Sequence, residues 1–234
     1  MSSYYSDSTN KSMAFGSLEG QQTADICVVG AGYTGLSSAL HLAERGYKVI
    51  VIEAETVGFG ASGRNGGHVG TGQRQGQQYL EDKFGREVAS TLWDMGLEAV
   101  DTVKDLVEKH AIKCDLKHGN IHFAHRAKYQ QELEEEAAFL QDRYGFDQME
   151  YLPKERLSEV IDSQAYHGAL IDRAAKHLHP LNFLLGMAEA ATRAGVVIYD
   201  NSRVTCYSGT PVVVKTDQGQ VTAGEMILAC NGYI

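Results

Sequence analysis

Three glycines and one carboxylate have the types and spacing of a dinucleotide-binding turn. Gly30, Gly32 and Gly35 follow an apolar run and open a helical pattern, and Glu53 closes the next apolar run. Gly30 permits a tight turn, Gly32 leaves room for a pyrophosphate, and Gly35 lets the helix approach the strand. The free amides at the start of such a helix attract phosphate. Because a carboxylate accepts hydrogen bonds from ribose hydroxyls and repels a 2′-phosphate, Glu53 disfavours NADP.

A second glycine-rich segment follows and favours FAD over NAD. An NAD domain of this type reaches its third strand through a connector of about 2–6 residues. Here the third apolar run, at 196–198, comes only after a long insertion, which can house a substrate domain above a bulky ring. Arg64 could serve the pyrophosphate or the flavin, and Ser62 and Asn65 offer short polar contacts. A flexible surface loop is the alternative interpretation.

Hydrophobic patterning predicts the elements that position these residues. Continuous apolar runs predict strands buried on both faces, as in a parallel sheet, at residues 26–29, 47–52, 196–198 and 226–230. Helical spacing predicts helices at residues 36–43, 77–110, 126–144, 153–161 and 180–194, with Pro180 as a start and Gly46 and Gly195 as stops. A short strand is predicted at 121–124, and a meander at 204–207, 212–216 and 220–223.

These elements predict an α/β fold with an FAD-binding, Rossmann-like parallel sheet, a β-meander and part of an inserted α+β substrate domain. The predicted boundaries give an N-terminal extension at residues 1–24, the Rossmann-like domain at 25–76 and 195–234, and a helical connection with the partial substrate domain at 77–194.

Composition excludes several classes of protein. Hydrophobic residues make up 43 % and charged residues 22 % of the chain, which argues against a disordered or fibrous protein. A net charge of −9 argues against a general nucleic-acid binder. No run approaches the ~18 apolar residues of a membrane span, and the N-terminus lacks the features of a secretory signal. The four cysteines form no C-x-x-C pair, so a reducing, cytoplasmic location is predicted.

The sequence resembles the D-amino-acid-oxidase-type FAD-dependent oxidoreductases. The resemblance rests on the run CVVGAGYTGLSSALHLAE at residues 27–44, on Glu53-Ala54, and on GFGASGRNGG at residues 58–67. Four shorter segments are similar to a subgroup that acts on γ-glutamylated diamines: SSYY at 2–5, KCD at 113–115, GAL at 168–170 and HPLN at 179–182. The similarity runs along the whole chain but covers only the N-terminal part of the family's length.

The resemblance implies oxidation of a γ-glutamylated diamine by FAD. A hydride leaves the carbon that bears the primary amine, the imine hydrolyses to an aldehyde and ammonia, and molecular oxygen is reduced to hydrogen peroxide. The cofactor-binding residues are then Gly30, Ala31, Gly32, Tyr33, Thr34, Gly35, Glu53, Ala54, Ala61, Ser62, Arg64, Asn65, Gly66, Gly67, Val204 and Gly232. Related sequences often carry glutamine where this chain has His68, so no covalent flavin bond is assigned to it.

Other groups of residues give weaker evidence for a functional site. The histidines at 118, 122, 125, 177 and 179 form no close quartet with other ligands, so no metal site is predicted. Ser62 lacks the G-x-S-x-G frame of a hydrolase nucleophile. Because a flavin carries the hard chemistry itself, no catalytic acid or base is assigned, and the candidates are His122, His179 and Tyr166.

Three functional interpretations stay open. The first is an amine oxidase of the γ-glutamyl diamine type. The second is a sarcosine-, glycine- or amino-acid-oxidase relative. An amino-acid substrate would require a buried arginine to hold it. The third is a non-catalytic fragment that binds nucleotides. The family's fifth parallel strand and C-terminal flavin contacts have no counterpart here, so we expect an N-terminal fragment with an exposed apolar sheet edge at residues 226–230.

Overall fold

The computed structural model describes residues 3–233, which contain both helices and strands. Met1, Ser2 and Ile234, at the ends of the predicted segments 1–24 and 195–234, lie outside it. The helices are α1 (Tyr4–Ser8), α2 (Tyr33–Glu44), α3 (Gln77–Phe84), α4 (Arg86–His110), α5 (Gln130–Tyr144) and α6 (Pro180–Arg193). The strands are β1 (Gly20–Val29), β2 (Val49–Ile52), β3 (His68–Val69), β4 (Lys117–Phe123), β5 (Met149–Pro153), β6 (Gly168–His177), β7 (Val197–Tyr199), β8 (Val204–Ser208), β9 (Val212–Thr216) and β10 (Gly219–Leu228). Short 3₁₀ helices span Ala61–Gly63, Ala127–Tyr129 and Lys154–Glu159.

The predicted parallel sheet and meander are confirmed. Within the described residues the strand order is β7-β2-β1-β10-β9-β8, and the first four strands pair in parallel. Strands β8 and β9 add the antiparallel meander. Every residue of β2 is buried, as its uninterrupted apolar run predicts for a strand covered on both faces.

A buried cluster holds the strands of this sheet in place. Cys27, Ile50, Val214 and Val221 belong to it and are almost fully removed from solvent. Leu18, which precedes β1, is buried in the same cluster, and its backbone N–H donates to the Ser202 hydroxyl at 2.8 Å. The sheet therefore begins its packing before residue 25.

A second, four-stranded sheet is antiparallel. Its central strand is β6, which pairs with β3, β4 and β5. Leu152, Leu157, Ala169 and Ile171 form its buried cluster. Three of its strands, β4, β5 and β6, lie within residues 77–194, where the partial α+β substrate domain was predicted.

The chain divides into two compact units. The first unit comprises residues 3–66, 106–114 and 179–233, and the second comprises residues 67–105 and 115–178. The N-terminal segment and α6 belong to the first unit. The Cβ of an alanine at Gly186 in α6 would overlap the Ile112 side chain, which shows how tightly this helix packs within its unit.

Several element predictions are corrected. The runs at 220–223 and 226–230 are one strand, β10, since it pairs with β1 along both parts. The helix predicted at 77–110 is broken at Gly85, where φ is +81°. The helix predicted at 153–161 is the 3₁₀ helix Lys154–Glu159. Strands β3, β5 and β6 were not predicted, because their short or mixed patterns lack a clear period of two. None of the described helices is long and apolar enough to cross a membrane.

Candidate functional site

The first glycine turn, Gly30–Gly35, is shaped by backbone approaches that exclude a side chain. Gly30 has φ of +104°, and its N–H donates to the Ile52 carbonyl oxygen at 2.8 Å. A Cβ on Gly30 would lie 2.6 Å from the carbonyl oxygen of Ala229, and one on Gly35 would overlap the carbonyl oxygen of Gly30. These close backbone approaches hold the start of α2 against the ends of β1 and β10.

Gly32 lies in a different environment within the same turn. The atoms within 4 Å of an added Cβ at Gly32 are the Oγ and Cβ of Ser62, the nearer at 3.0 Å. Gly32 is also the N-cap residue of α2, and no side chain caps the helix from that position. A methyl group there would fill the space in front of the helix N-terminus, which is the place where an anion binds best.

A second turn repeats the geometry of the first. Residues 58–63 read G-x-G-x-x-G like residues 30–35. Gly58 has φ of +88°, and a Cβ on Gly63 would overlap the Gly58 carbonyl oxygen. Gly60 caps its 3₁₀ helix with φ −76° and ψ −161°, close to the −83° and −172° of Gly32. The repeated spacing was the signal that could have identified Gly58 and Gly63 as structural partners of the site.

Ser62 joins the two turns. Its Oγ accepts a hydrogen bond from the backbone N–H of Tyr33 at 3.1 Å. The second turn thus satisfies one of the N-terminal amides of α2, and the predicted contact residue Ser62 lies directly beside Gly32.

Glu53 is fixed beside the first turn by backbone donors. Its Oε2 accepts from the Ala31 N–H at 2.8 Å, and its Oε1 accepts from the Glu55 N–H at 3.1 Å. The Glu53 backbone N–H donates to the Tyr199 carbonyl oxygen at 2.8 Å, and the Glu53 carbonyl oxygen accepts from the Ser202 N–H at 2.9 Å. The carboxylate is half-buried, so it keeps an accessible surface at the end of β2.

Asn65 and Tyr33 tie the loop that follows the second turn to the first. The Asn65 amide donates to the carbonyl oxygens of Ala61 and Ser62 at 3.2 and 3.0 Å, and to the Tyr33 hydroxyl at 3.3 Å. Tyr33 donates in turn to the Pro180 carbonyl oxygen at 3.2 Å. Burial raises the pKa of the Tyr33 hydroxyl, so it stays protonated and keeps this donor role.

Arg64 is held close to its own loop. Its Nε donates to the Phe59 carbonyl oxygen at 2.6 Å, and its guanidinium lies 4.7 Å from the centre of the Phe59 ring. The side chain is exposed. The fixed Nε orients a positive charge at the rim of the second turn.

The remaining predicted contact residues are placed as follows. Ala31 and Gly35 are buried in the first turn, whereas Thr34, Ala61 and Gly66 are exposed and Ala54 is half-buried. Val204 is the first residue of β8. It lies two positions after Ser202, whose backbone N–H donates to the Glu53 carbonyl oxygen. Gly232 is exposed, in a turn closed by the Tyr233 N–H and the Cys230 carbonyl. Gly67 belongs to the second unit, where its carbonyl accepts from the Leu178 N–H.

The three catalytic candidates have different surroundings. His179 is the N-cap residue of α6, since its Nδ1 accepts from the Asn182 N–H at 3.1 Å. Tyr166 packs on the Phe123 ring with ring centres 4.6 Å apart. His122 is exposed on β4. Both His179 and Tyr166 thus have contacts that hold their rings in place. No group of three or more metal-ligating side chains is present within residues 3–233.

The matching family model is that of the FAD dependent oxidoreductases (DAO), and it covers residues 25–234. The chain belongs to this family. The family is FAD-dependent, and the site fits such a dinucleotide on three observations: the space in front of Gly32, the N-terminus of α2, and the fixed carboxylate of Glu53.

Two relatives in this family are similar along the whole chain. One is a gamma-glutamylputrescine oxidoreductase from Escherichia coli (strain K12), 42 % identical over 234 residues, which cover 100 % of this chain and 55 % of that protein. Another is a probable oxidoreductase, OrdL, from Haemophilus influenzae, 40 % identical, with 99 % of this chain and 54 % of that protein covered. The chain spans about half the length of the relatives it matches.

Two solved structures share the fold of this chain. Glycine oxidase from Geobacillus kaustophilus matches with a TM-score of 0.73 and 22 % identity, over 89 % of this chain and 55 % of that one. L-Amino acid deaminase from Proteus myxofaciens matches with a TM-score of 0.73 and 20 % identity, over 94 % of this chain and 48 % of that one. The predicted family and fold are therefore confirmed.

Proposed function

We propose that the chain is the N-terminal, FAD-binding part of an enzyme that oxidatively deaminates gamma-glutamylputrescine. The products are the corresponding aldehyde, ammonia and hydrogen peroxide, with molecular oxygen as the electron acceptor. The 42 % identity to the Escherichia coli oxidoreductase supports the substrate class. The structural observation that carries the proposal is the pair of joined turns, in which Ser62 faces Gly32 at the start of α2.

The first unit offers partners for each polar part of the cofactor. Residues 30–35 and the N-terminus of α2 would hold the diphosphate, because backbone amides and the helix dipole favour phosphate oxygens. Glu53 would accept hydrogen bonds from ribose hydroxyls. Residues 61–66 would lie along the diphosphate and the flavin, and Val204 and Gly232 would complete the contacts. When bound, FAD supplies the hydride acceptor.

Backbone N–H groups and one amide side chain orient the polar groups of the site. Ala31 orients the Glu53 carboxylate through its N–H, and Tyr33 orients Ser62 in the same way. Asn65 fixes the backbone carbonyls of the second turn. A cofactor that binds a site already held in this manner loses less freedom on binding, which favours tight retention.

The proposal is tested with the protein expressed from the complete gene that encodes residues 1–234. We expect a yellow protein with flavin absorbance that releases peroxide with gamma-glutamylputrescine and far less with putrescine, sarcosine or glycine. Faster turnover of sarcosine or glycine would reject the substrate and favour an amino-acid oxidase. A colourless protein that takes up no FAD would reject the cofactor assignment as well.

A further inference from the structure

Residues 3–18, here termed the N-terminal strap, lie before residue 25, where the match to the family model begins. They belong to the first unit, together with the two glycine turns and α6. The strap is polar and lacks a period, yet hydrogen bonds fix it at two places in this unit. Each place is connected, through one further hydrogen bond, to a residue of the candidate cofactor site.

The first place is the start of α6. The Ser8 hydroxyl lies 3.1 Å from Nε2 of His179, the N-cap residue of that helix. Because this hydroxyl donates its single hydrogen to the Tyr4 carbonyl oxygen at 2.7 Å, it accepts a hydrogen bond from the imidazole. Nδ1 of the same ring accepts from the Asn182 N–H, so the strap and the helix cap share one imidazole.

The next residues of the strap satisfy a buried amide of α6. The side-chain oxygen of Asn182, a residue that is 3 % exposed, accepts from the Thr9 hydroxyl at 2.7 Å and from the Asn10 N–H at 3.1 Å. Lys11 adds an ion pair with Glu189, further along the helix. Four consecutive residues of the strap, 8–11, therefore lie against α6 or join to it, and loss of a donor to the buried Asn182 oxygen is costly.

The start of α6 is bonded in turn to the first glycine turn. The Pro180 carbonyl oxygen accepts from the Tyr33 hydroxyl at 3.2 Å, and the rings of Tyr33 and Phe183 have centres 5.6 Å apart. The Tyr33 N–H is the amide that Ser62 caps, and its hydroxyl accepts from the Asn65 amide. A shift of the start of α6 would therefore displace Tyr33 and the second turn with it.

The second place lies at the other end of the strap, beside Glu53. The Leu18 N–H donates to the Ser202 hydroxyl at 2.8 Å, and this hydroxyl donates to the Asp200 carbonyl oxygen at 2.8 Å. The Ser202 N–H donates to the Glu53 carbonyl oxygen at 2.9 Å. Because Leu18 and Ser202 are both buried, an unpaired N–H here would carry its full desolvation cost. The strap thus ends next to the residue that would hold the ribose.

We propose that the N-terminal strap holds Tyr33 and Glu53 in position for FAD and thereby slows release of the cofactor. This inference rests on the proposed function and deepens it. The strap acts through α6 at its first place and through Ser202 at its second. A site that is already held in position loses less freedom when the cofactor binds, so a closed strap favours retention. By linkage, bound FAD must stabilise the closed strap to the same extent.

The test measures FAD release from the protein expressed from the complete gene. FAD-loaded wild type, Ser8→Ala, Thr9→Val and the double variant are diluted, and the rise of flavin fluorescence on release gives the rate. We expect each single variant to release FAD roughly 2- to 10-fold faster, the range for one lost neutral hydrogen bond, and the double variant to exceed both. Asp7→Asn, at an exposed residue of α1, is the matched control and should keep the wild-type rate.

Two further readouts separate positioning from a merely structural role. A structural role would lower the Tm of the apoprotein and of the FAD-loaded protein equally. A positioning role lowers the Tm of the FAD-loaded protein more, because weaker FAD binding removes part of its stabilisation. Hydrogen exchange tests the converse: bound FAD should slow exchange of the Asn10 and Leu18 amides more than exchange of the amides of α5 in the second unit.

Unchanged FAD release from the double variant, with equal losses of Tm in both forms, would overturn the inference. Exchange at Asn10 and Leu18 that does not respond to FAD would overturn it as well. If the double variant does not fold, Ser8→Ala decides by the same readouts, since it changes an exposed side chain. A protein that oxidises a different amine, but whose strap variants release FAD faster, would support the strap while rejecting gamma-glutamylputrescine as the substrate.

Discussion

The hydroxyl oxygen of Ser62 accepts a hydrogen bond from the backbone N–H of Tyr33 at 3.1 Å. The second glycine turn therefore caps α2, the helix that follows the first glycine turn. The two turns share their sequence spacing and their cap geometry. Because they are joined at the helix N-terminus, a change that distorts the second turn should also disturb the first. Cofactor retention and stability are therefore coupled in the first unit.

Gly63→Ala should destabilise the protein and weaken FAD retention together. The new Cβ would overlap the Gly58 carbonyl oxygen, which is backbone and cannot swing away. Overpacking of this kind costs about 1–3 kcal/mol. The midpoint of urea unfolding should fall, and the Kd for FAD, measured by quenching of flavin fluorescence, should rise.

Gly60→Ala is the matched control in the same turn. An added Cβ at Gly60 meets nothing within 4 Å, and its φ of −76° suits alanine. Its unfolding midpoint should stay close to that of the wild type. Equal midpoints for the Gly63 and Gly60 variants would refute the tight geometry of the second turn.

The sequence predicted the first turn better than the second for a physical reason. The glycines at 30, 32 and 35 stand between a clear apolar strand and a clear helical pattern, which together define strand–turn–helix. The second turn opens only the one-turn 3₁₀ helix Ala61–Gly63, so periodicity gave no element to attach it to. Its role depends on the contact between Ser62 and Tyr33, a tertiary relationship that spacing alone does not contain.

Glu53→Gln should reduce FAD affinity and also lower the unfolding midpoint, because its NH2 group would replace one of the two oxygens that accept backbone N–H groups. The neutral amide keeps one oxygen to accept from a backbone N–H, but it loses the charge that strengthens hydrogen bonds to ribose hydroxyls. Loss of a hydrogen bond to a charged group costs about 1.5–3 kcal/mol, which corresponds to roughly a 10- to 100-fold weaker Kd.

Glu55→Gln controls for the loss of a negative charge from the same loop. Glu55 forms an exposed ion pair with Arg203 at 2.7 Å, and such pairs contribute at most about 1 kcal/mol. Its FAD affinity should match that of the wild type. If the Glu53 variant retained FAD equally well, the ribose assignment would be wrong.

His110, at the end of α4, should make stability fall as the pH drops from 7 to 5. Burial lowers the pKa of its imidazole below the ordinary 6.5, although the nearby Glu44 carboxylate opposes this shift. The unfolded chain therefore takes up a proton near pH 6.5 that the folded state resists, so acid favours unfolding. Lys109 lowers the pKa of Glu44, which moves that carboxylate's own contribution to a window below pH 4.5.

His110→Gln should flatten the dependence of the urea midpoint on pH between 5 and 7. His41→Gln, which changes a more exposed histidine beside the same Glu44, is the control and should keep the wild-type slope. A slope that persists in the His110 variant would show that another group titrates in this window.

The sequence predicted α6 more completely than it predicted the packing of the N-terminal segment. The apolar face and Pro180 predicted the helix itself, and both its start and its stop at Gly195 are confirmed. The segment before residue 25 is polar and lacks any period, so nothing in it indicates a packing partner. Its place depends on hydrogen bonds to the buried Asn182, more than 170 positions away.

Thr9→Val should destabilise the first unit through this distant partner. The Asn182 side-chain oxygen, on a residue that is 3 % exposed, accepts from the Thr9 hydroxyl at 2.7 Å and from the Asn10 N–H at 3.1 Å. Valine keeps the shape of threonine but removes one donor from a buried acceptor, at a cost of about 1–2 kcal/mol. Thr91→Val, on the exposed surface of α4, should change the free energy of unfolding by under about 0.5 kcal/mol. Urea unfolding of both variants decides the matter: equal losses would mean that the N-terminal segment contributes no specific contact to the fold.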